Sequence, residues 1–161
     1  MNGRLELQNS LGLELTLRPA DERDMSFCYE LMCHNMKSLF DKNTKDGWSR
    51  EKFRLGFDSS RITVVEDEKM SIGFYDLEIV EDELYCHNLQ LSIDFQIGVG
   101  IKIIELLEKI AIESGAKSIV GKVFSENSRA MKLLQILGYN LDKNIEEENS
   151  YWIRKDLGES K

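Results

Sequence analysis

At 161 residues, 42% of them hydrophobic, the chain has the length of one domain and enough apolar mass for a real core, and it holds no run of about 18 apolar residues from which a transmembrane helix could be built. Its formal net charge of −8 argues against nucleic acid and anionic membranes as default partners and is compatible with a cationic substrate. Cys28, Cys33 and Cys86 fit no disulfide framework, and the N-terminus lacks the apolar core of a signal peptide, so a cytoplasmic, reducing setting is expected.

Residues 11–18 alternate apolar and polar through Leu17 and read as a half-buried strand that Pro19 ends, with residues 5–8 as an extra strand or a loose arm. Asp21 or Asp24 can cap the helix that follows, whose face of Phe27, Cys28, Leu31 and Met32 ends near Asn35. A polar loop over 42–47 leads to a short helix from Ser49 to Phe57. Ile62–Val65, Met70–Ile79 and Leu84–Ile93 then read as three strands joined by charged turns, an antiparallel meander in which Gly73 marks a bulge or a close approach. From Gly100 the apolar positions Ile103, Ile104, Leu107, Ile110 and Ala111 follow the helical period until Gly115 stops it. Ser118–Phe124 is a β-branched strand, Asn127 caps a helix striped by Ala130, Leu133, Leu134 and Leu137, and 150–157 is a final strand. No linker or repeat divides the chain, so 1–161 is expected to be a single α/β (α+β) domain, with a mixed, mostly antiparallel six- to seven-stranded sheet and helices on both faces.

The stretch from Leu89 to Ile101 carries the first chemical signal. An apolar strand runs into Gly98-Val99-Gly100 and then at once into a long helix. Such a junction aims backbone N–H groups and the positive end of a helix dipole at one spot, which attracts phosphate. A second signal is Asn127-Ser128-Arg129-Ala130, continuing through Leu133 and Leu134 to Leu137-Gly138-Tyr139. Alone, the glycines are compatible with an ordinary turn and Asn127 with a simple helix cap.

Taken together and at these element positions, the two stretches resemble the GNAT superfamily of N-acetyltransferases over roughly Leu15 to Leu157. Gln96 to Gly100 looks like the family's acyl-CoA loop, and Asn127 to Tyr139 is similar to its Asn-x-x-Ala motif ending in Leu-Gly and an aromatic. The resemblance implies acetyl-CoA as cosubstrate, no metal, and transfer to a primary amine of a small molecule or peptide. It implies that strand backbone at Leu91 and Ile93 binds the pantetheine arm. The pyrophosphate would rest on the N–H groups of Gly98, Val99, Gly100 and Ile101 beside Gln96, and Asn127 would orient the pantetheine or a water. Two departures stand out. Gln96 lies two residues before Gly98 where the family places its Gln or Arg three before, and Leu134 occupies the place of the tyrosine that serves many members as general acid. Leucine has no proton to donate.

For a base, the candidate is the imidazole of His87 on the fourth strand, which alternates onto one face with Tyr85, while Cys86 and Asn88 take the other. Tyr139 and Gln90 are weaker candidates for acid and water-polarising roles. Trp48 and Phe57 would line an acceptor pocket. The pairs Cys33-His34 and Cys86-His87 make a poor zinc site, because adjacent residues on a strand point to opposite sides. The acidic runs at 66–68, 81–83 and 146–148 read as solvated turns. The tail strand around Trp152 offers an edge for a homodimer. The rival reading is a non-catalytic acyl-CoA-binding or interaction module that retains the fold.

Overall fold

The computed structural model describes residues 5–8, 14–96 and 98–158. In chain order the elements are β1 (Leu5–Gln8), β2 (Glu14–Pro19), α1 (Met25–Asn43), α2 (Arg50–Gly56), β3 (Ile62–Asp67), β4 (Met70–Val80), β5 (Glu83–Leu91), α3 (Gly98–Glu113), β6 (Ser118–Phe124), α4 (Ser128–Ile136), β7 (Asn140–Ile145) and β8 (Ser150–Asp156). They build one eight-stranded sheet in the order β1-β2-β3-β4-β5-β6-β8-β7. Every neighbouring pair is antiparallel except β5 and β6. That parallel pair needs a crossover, and α3 supplies it.

The two faces of the sheet carry separate apolar clusters because strand side chains alternate. Ile72 and Tyr75 of β4 meet Val99, Ile103, Ile104, Leu107 and Ala111 of α3, with Leu133, Leu134 and Leu137 of α4 at the margin. Phe74, between them in sequence, packs on the other face with Cys28 and Leu31 of α1. Each buried Val, Leu or Ile side chain contributes about 1.5–3 kcal/mol, so α3, with four such residues and Ala111 in the main cluster, anchors the crossover. Local signals set the element ends. Asp21 accepts from the Arg23 N–H and Asp24 closes a reciprocal capping box ahead of α1. Gly115, at φ +81°, turns the chain out of α3.

The mixed α/β sheet with helices on both faces stands as expected, with four refinements. The expected strand at 11–18 is described from Glu14 onward, and Leu11 to Leu13 lie outside the described residues. Helix α1 continues past Asn35 to Asn43, taking in the first residues of the expected loop. Strand β5 ends at Leu91, so Ile93 sits in a 3-10 turn (Ile93–Phe95) instead of on the strand. Strand β7 was not anticipated; its mostly exposed Asn-Leu-Asp-Lys-Asn-Ile has almost no buried face to leave a pattern. Its presence puts β8 between β6 and β7, so the tail strand presents no free edge for a partner. Edge strand β7 instead carries Asp142 and Lys143, charges that discourage strand addition.

Candidate active site

The pairing of β5 with β6 covers three positions, Glu83↔Ser118, Leu84↔Ile119 and Tyr85↔Val120. Beyond them β5 continues to Leu91 and β6 to Phe124 without pairing, so the two strands diverge. The gap is a cavity of about 780 Å³ reaching from α3 and α4 on one face of the sheet to α1 on the other. Backbone polarity faces into it. The Ser92 N–H donates to the Ile72 carbonyl at 2.8 Å, and antiparallel alternation then makes Gln90 and Phe74 a hydrogen-bonded pair. The peptide groups of Leu89 and Leu91 therefore turn away from β4 toward the cleft. Side chains meet one of them: Asn35 Nδ2 and Gln96 Nε2 donate to the Leu91 carbonyl at 3.0 and 3.1 Å.

A β-bulge shapes the β5 wall. Leu77 pairs with Cys86 and Asp76 with Asn88, leaving His87 as the extra residue. The slip changes which face each side chain takes. Cys86 and Asn88, expected on the same face, separate: Cys86 packs with the α3 cluster, whereas Asn88 Nδ2 reaches Met32 Sδ on α1 at 3.0 Å. A single sequence carries no local mark of this bulge, since no glycine stands there. Beyond it Gln90 Nε2 donates to Asn88 Oδ1 at 2.8 Å, and Asn35 Nδ2 donates to Gln90 Oε1 at 3.1 Å. Gln90, 9% exposed, is thus held in an amide ladder between β5 and α1.

His87, Leu91, Ile93, Gln96, Gly100 and Asn127 all line the cavity. Gly98 opens α3, so both glycines belong to the first helical turn rather than to a loop before it. Their N–H groups, with those of Val99 and Ile101, are the four that a helix leaves without internal acceptors. The Val99 side chain is buried in the core and Ile101 is half-buried, so any role of these two in the cleft belongs to backbone. Asn127 Oδ1 accepts from the Ala130 N–H at 3.4 Å, making Asn127 the N-cap of α4 as well as part of the wall. His87 is exposed, its ring stacked over Tyr85 at 6.2 Å and its Nε2 2.9 Å from Glu78 Oε1.

Other candidates are bound up elsewhere. Tyr139 is 4% exposed; burial and the neighbouring Glu108 carboxylate push its phenol well above the usual range, and its hydroxyl donates to Glu108 Oε1 at 3.4 Å. Leu134 lines the cavity as an apolar surface. Burial pushes the Cys86 thiol up to about 12, which leaves almost no thiolate near neutrality. Trp48 and Phe57 do not line the cleft. They belong to an aromatic stack with Tyr29 and Phe53 between α1 and α2, and Trp48 Nε1 donates to the Tyr29 hydroxyl at 3.1 Å.

Sequence reasoning missed the cations of the wall. Arg129 and Lys132 of α4 line the cavity, and among the described residues neither has an ion-pair partner within 4.0 Å. Their signal was legible: both fall in the motif that begins at Asn127, on a helix otherwise read for its apolar stripe. Lys122 also lines the cavity and pairs with Glu148 at 2.8 Å.

No family model and no curated relative matches the chain. Solved structures do. A ribosomal-protein-S18-alanine N-acetyltransferase from Escherichia coli is 16% identical with a TM-score of 0.67, over 91% of this chain and 96% of that one. A GNAT-family acetyltransferase from Listeria monocytogenes is 18% identical with a TM-score of 0.66, over 95% and 100%. The PaiA N-acetyltransferase from Thermoplasma acidophilum, solved in complex with coenzyme A, is 15% identical with a TM-score of 0.68, over 89% and 99%. The chain carries the fold of the GNAT N-acetyltransferases.

Proposed function

We propose that this chain is a GNAT-superfamily acyl-CoA-dependent N-acyltransferase that moves an acetyl group from acetyl-CoA to a primary amine. The observation that carries this reading is the cleft where β5 and β6 part after Tyr85 and Val120, with the peptide groups of Leu89 and Leu91 turned into it. The residues present suit the coenzyme. An extended pantetheine arm can pair with the cleft-facing backbone of β5, at Leu91 as expected and at Leu89 in preference to Ile93. The first-turn N–H groups from Gly98 to Ile101 suit a pyrophosphate, with Gln96 fixing the approach through the Leu91 carbonyl. Arg129 and Lys132 add unpaired positive charge for phosphate, and Asn127 orients the arm or a water.

Acetyl-CoA supplies an activated thioester. The amine nitrogen attacks its carbonyl carbon, the C–S bond breaks, and sulfur departs with the electron pair while nitrogen sheds a proton. His87, carried on the bulge and held by Glu78, is the proton acceptor we assign, directly or through a water. The departing thiolate takes its proton from water, since Leu134 has none to give and the Tyr139 hydroxyl is committed to Glu108. Transfer is direct, because a thiol as hard to ionise as Cys86 makes a poor acyl carrier.

Calorimetry and a thiol-release assay test this. Acetyl-CoA is expected to bind, and free CoA thiol to appear when amines are added. Binding without release across a broad amine panel would favour the second reading, a non-catalytic acyl-CoA-binding module, which Leu134 supports. Absence of binding would end both.

A further inference from the structure

The acceptor half of the cleft has a definite chemistry. Helix α1 turns Met32, Asn35, Met36, Leu39 and Phe40 toward the cavity, positions spaced as one helical face. All five are half-buried, so the protein itself leaves this face incompletely covered. Phe124 of β6 closes the far side, its ring 5.1 Å from that of Phe40. Beside His34, Thr44 and His87, the polar side chains on this side are the neutral amides of Asn35, Asn88 and Gln90, and these are largely committed to one another. Asn35 Nδ2 serves Gln90 Oε1 and the Leu91 carbonyl, Gln90 Nε2 serves Asn88 Oδ1, and Asn88 Nδ2 serves Met32 Sδ.

Charge is distributed against a polycation. The molecule as a whole carries −8, yet among the described residues lining the cavity Glu148 is the one carboxylate. Its Oε2 already accepts from Lys122 Nζ at 2.8 Å and from Ser150 Oγ at 3.4 Å. Lys122 lines the same cavity, as do Arg129 and Lys132, whose charge is assigned to the coenzyme phosphates, so the wall offers no excess of negative charge. A second or third ammonium on the acceptor would lose its hydration among methionines, leucine and phenylalanine, and among the described residues lining the cavity no uncommitted carboxylate receives it, since Glu148 is paired and Glu78 behind the wall is taken by His87.

Resting on the reading of this cleft as an acyl-transfer site, we infer that its acceptor is a monoamine whose single primary amine is borne on an apolar, aliphatic or aromatic body, and that polyamines and aminoglycosides are excluded. The same chemistry is offered by a free arylalkylamine and by a peptide that begins with a large apolar residue. The methionines suit either, because thioether side chains adapt to irregular apolar shapes.

The test uses the full chain, saturated with acetyl-CoA, in a thiol-release assay with 2-phenylethylamine, a peptide with N-terminal Phe, spermidine and kanamycin. Either apolar acceptor is expected to exceed both polycations by at least about tenfold in kcat/KM, and the ratio of the first two identifies the source. Met36→Asp places a carboxylate on the α1 face and is expected to reverse the preference, with the calorimetric affinity for CoA retained. A preference of the unmodified chain for spermidine or kanamycin overturns the inference while leaving the acyltransferase reading intact. If no amine is acetylated although acetyl-CoA binds, the acyltransferase reading fails instead, and calorimetric titration of the CoA-loaded protein with 2-phenylethylamine and spermidine decides the inference. Binding of the former that weakens in Met36→Asp upholds it; tighter binding of spermidine, or no binding of 2-phenylethylamine, overturns it.

Discussion

Gly73 shows how tightly single residues hold the cleft. It lies on β4 against the end of β5, and a Cβ built there would stand 2.4 Å from Leu91 Cδ2 and 2.6 Å from the Gln90 carbonyl oxygen. The second neighbour is backbone, so the strand itself would have to move. Gly73→Ala is expected to cost about 1–3 kcal/mol, readable as a lower denaturation midpoint with an unchanged slope. It should also weaken CoA binding, because the displaced residues form the cleft wall. A variant of undiminished stability would show that β5 yields freely here. The Arg18–Asp24 pair answers a different question, how the molecule responds to acid. Arg18 donates to both carboxylate oxygens of Asp24, at 2.8 and 2.9 Å, and the Asp21 N–H adds a third bond at 2.9 Å. The guanidinium, first among these causes, holds the Asp24 carboxyl below the usual aspartate value. A depressed folded-state pKa means that the unfolded chain takes up the proton first as pH falls. The stabilisation is therefore full above the unfolded value of about 3.9 and is lost as pH falls through the lower folded value. Asp24→Asn should cost about 2 kcal/mol at pH 7 in urea denaturation, and the gap to the parent should start to narrow as pH falls through about 3.9 and close once pH is below the lower folded value. A gap that persisted there would assign the effect to packing instead of charge.

At the scale of elements, helix α3 both anchors the crossover and presents its first turn to the cleft. Gly100 is the test position. A Cβ there would meet Leu91 Cδ1 at 3.7 Å, an ordinary contact, so Gly100→Ala is expected to fold and to gain about 0.5–1 kcal/mol from the stiffer unfolded chain. Gly100→Glu places a carboxylate among the N–H groups assigned to pyrophosphate. It should lower CoA affinity by about 100-fold or more while leaving the melting temperature within a few degrees of the parent. Equal affinity in both variants would remove the α3 N-terminus from the coenzyme site. Much of this was legible in the sequence, since the apolar period of α3, the capping Asn127 and the alternation of β2 are local patterns tied to burial. What was hidden depends on tertiary contact. The bulge at His87 is set by pairing with β4, and it reversed the face of Asn88 without any glycine to announce it. Strand β7 hides because its mostly exposed residues have almost no core face to mark. The extension of α1 to Asn43 hides because Lys42 and Asn43 resemble loop residues, although the Thr44 N–H closes the helix on the Phe40 carbonyl at 3.0 Å.

For the molecule as a whole, the sheet is two blocks, β1–β5 and β6–β8, whose strands pair along three positions at one end, where the Arg154–Glu83 ion pair at 2.7 Å and the Tyr85 ring against Trp152 add to the junction, with α3 and the apolar cluster beneath it supplying the rest. A ligand that lies between them replaces missing strand pairing and couples the blocks. Binding at a concentration 100 times Kd would add about 2.7 kcal/mol to stability, and that increment should not be spread evenly. Amide hydrogen exchange with and without CoA locates it. Protection is expected to rise at the cleft-facing amides of Leu89 and Leu91, in the first turn of α3, and along 121–124 of β6, the stretch without a partner in β5. The amides of β3 and of the middle of β4 are paired on both sides already, so their exchange should slow only as far as global unfolding slows. Because β5 and β6 belong to different blocks, protection of both by one ligand requires that ligand to span the gap. Protection confined to α3 and α4 would mean that CoA phosphates dock at the helix ends without the arm entering the sheet. The cleft would then no longer be the coenzyme channel, and the two blocks would be coupled only by the contacts the protein already makes between them.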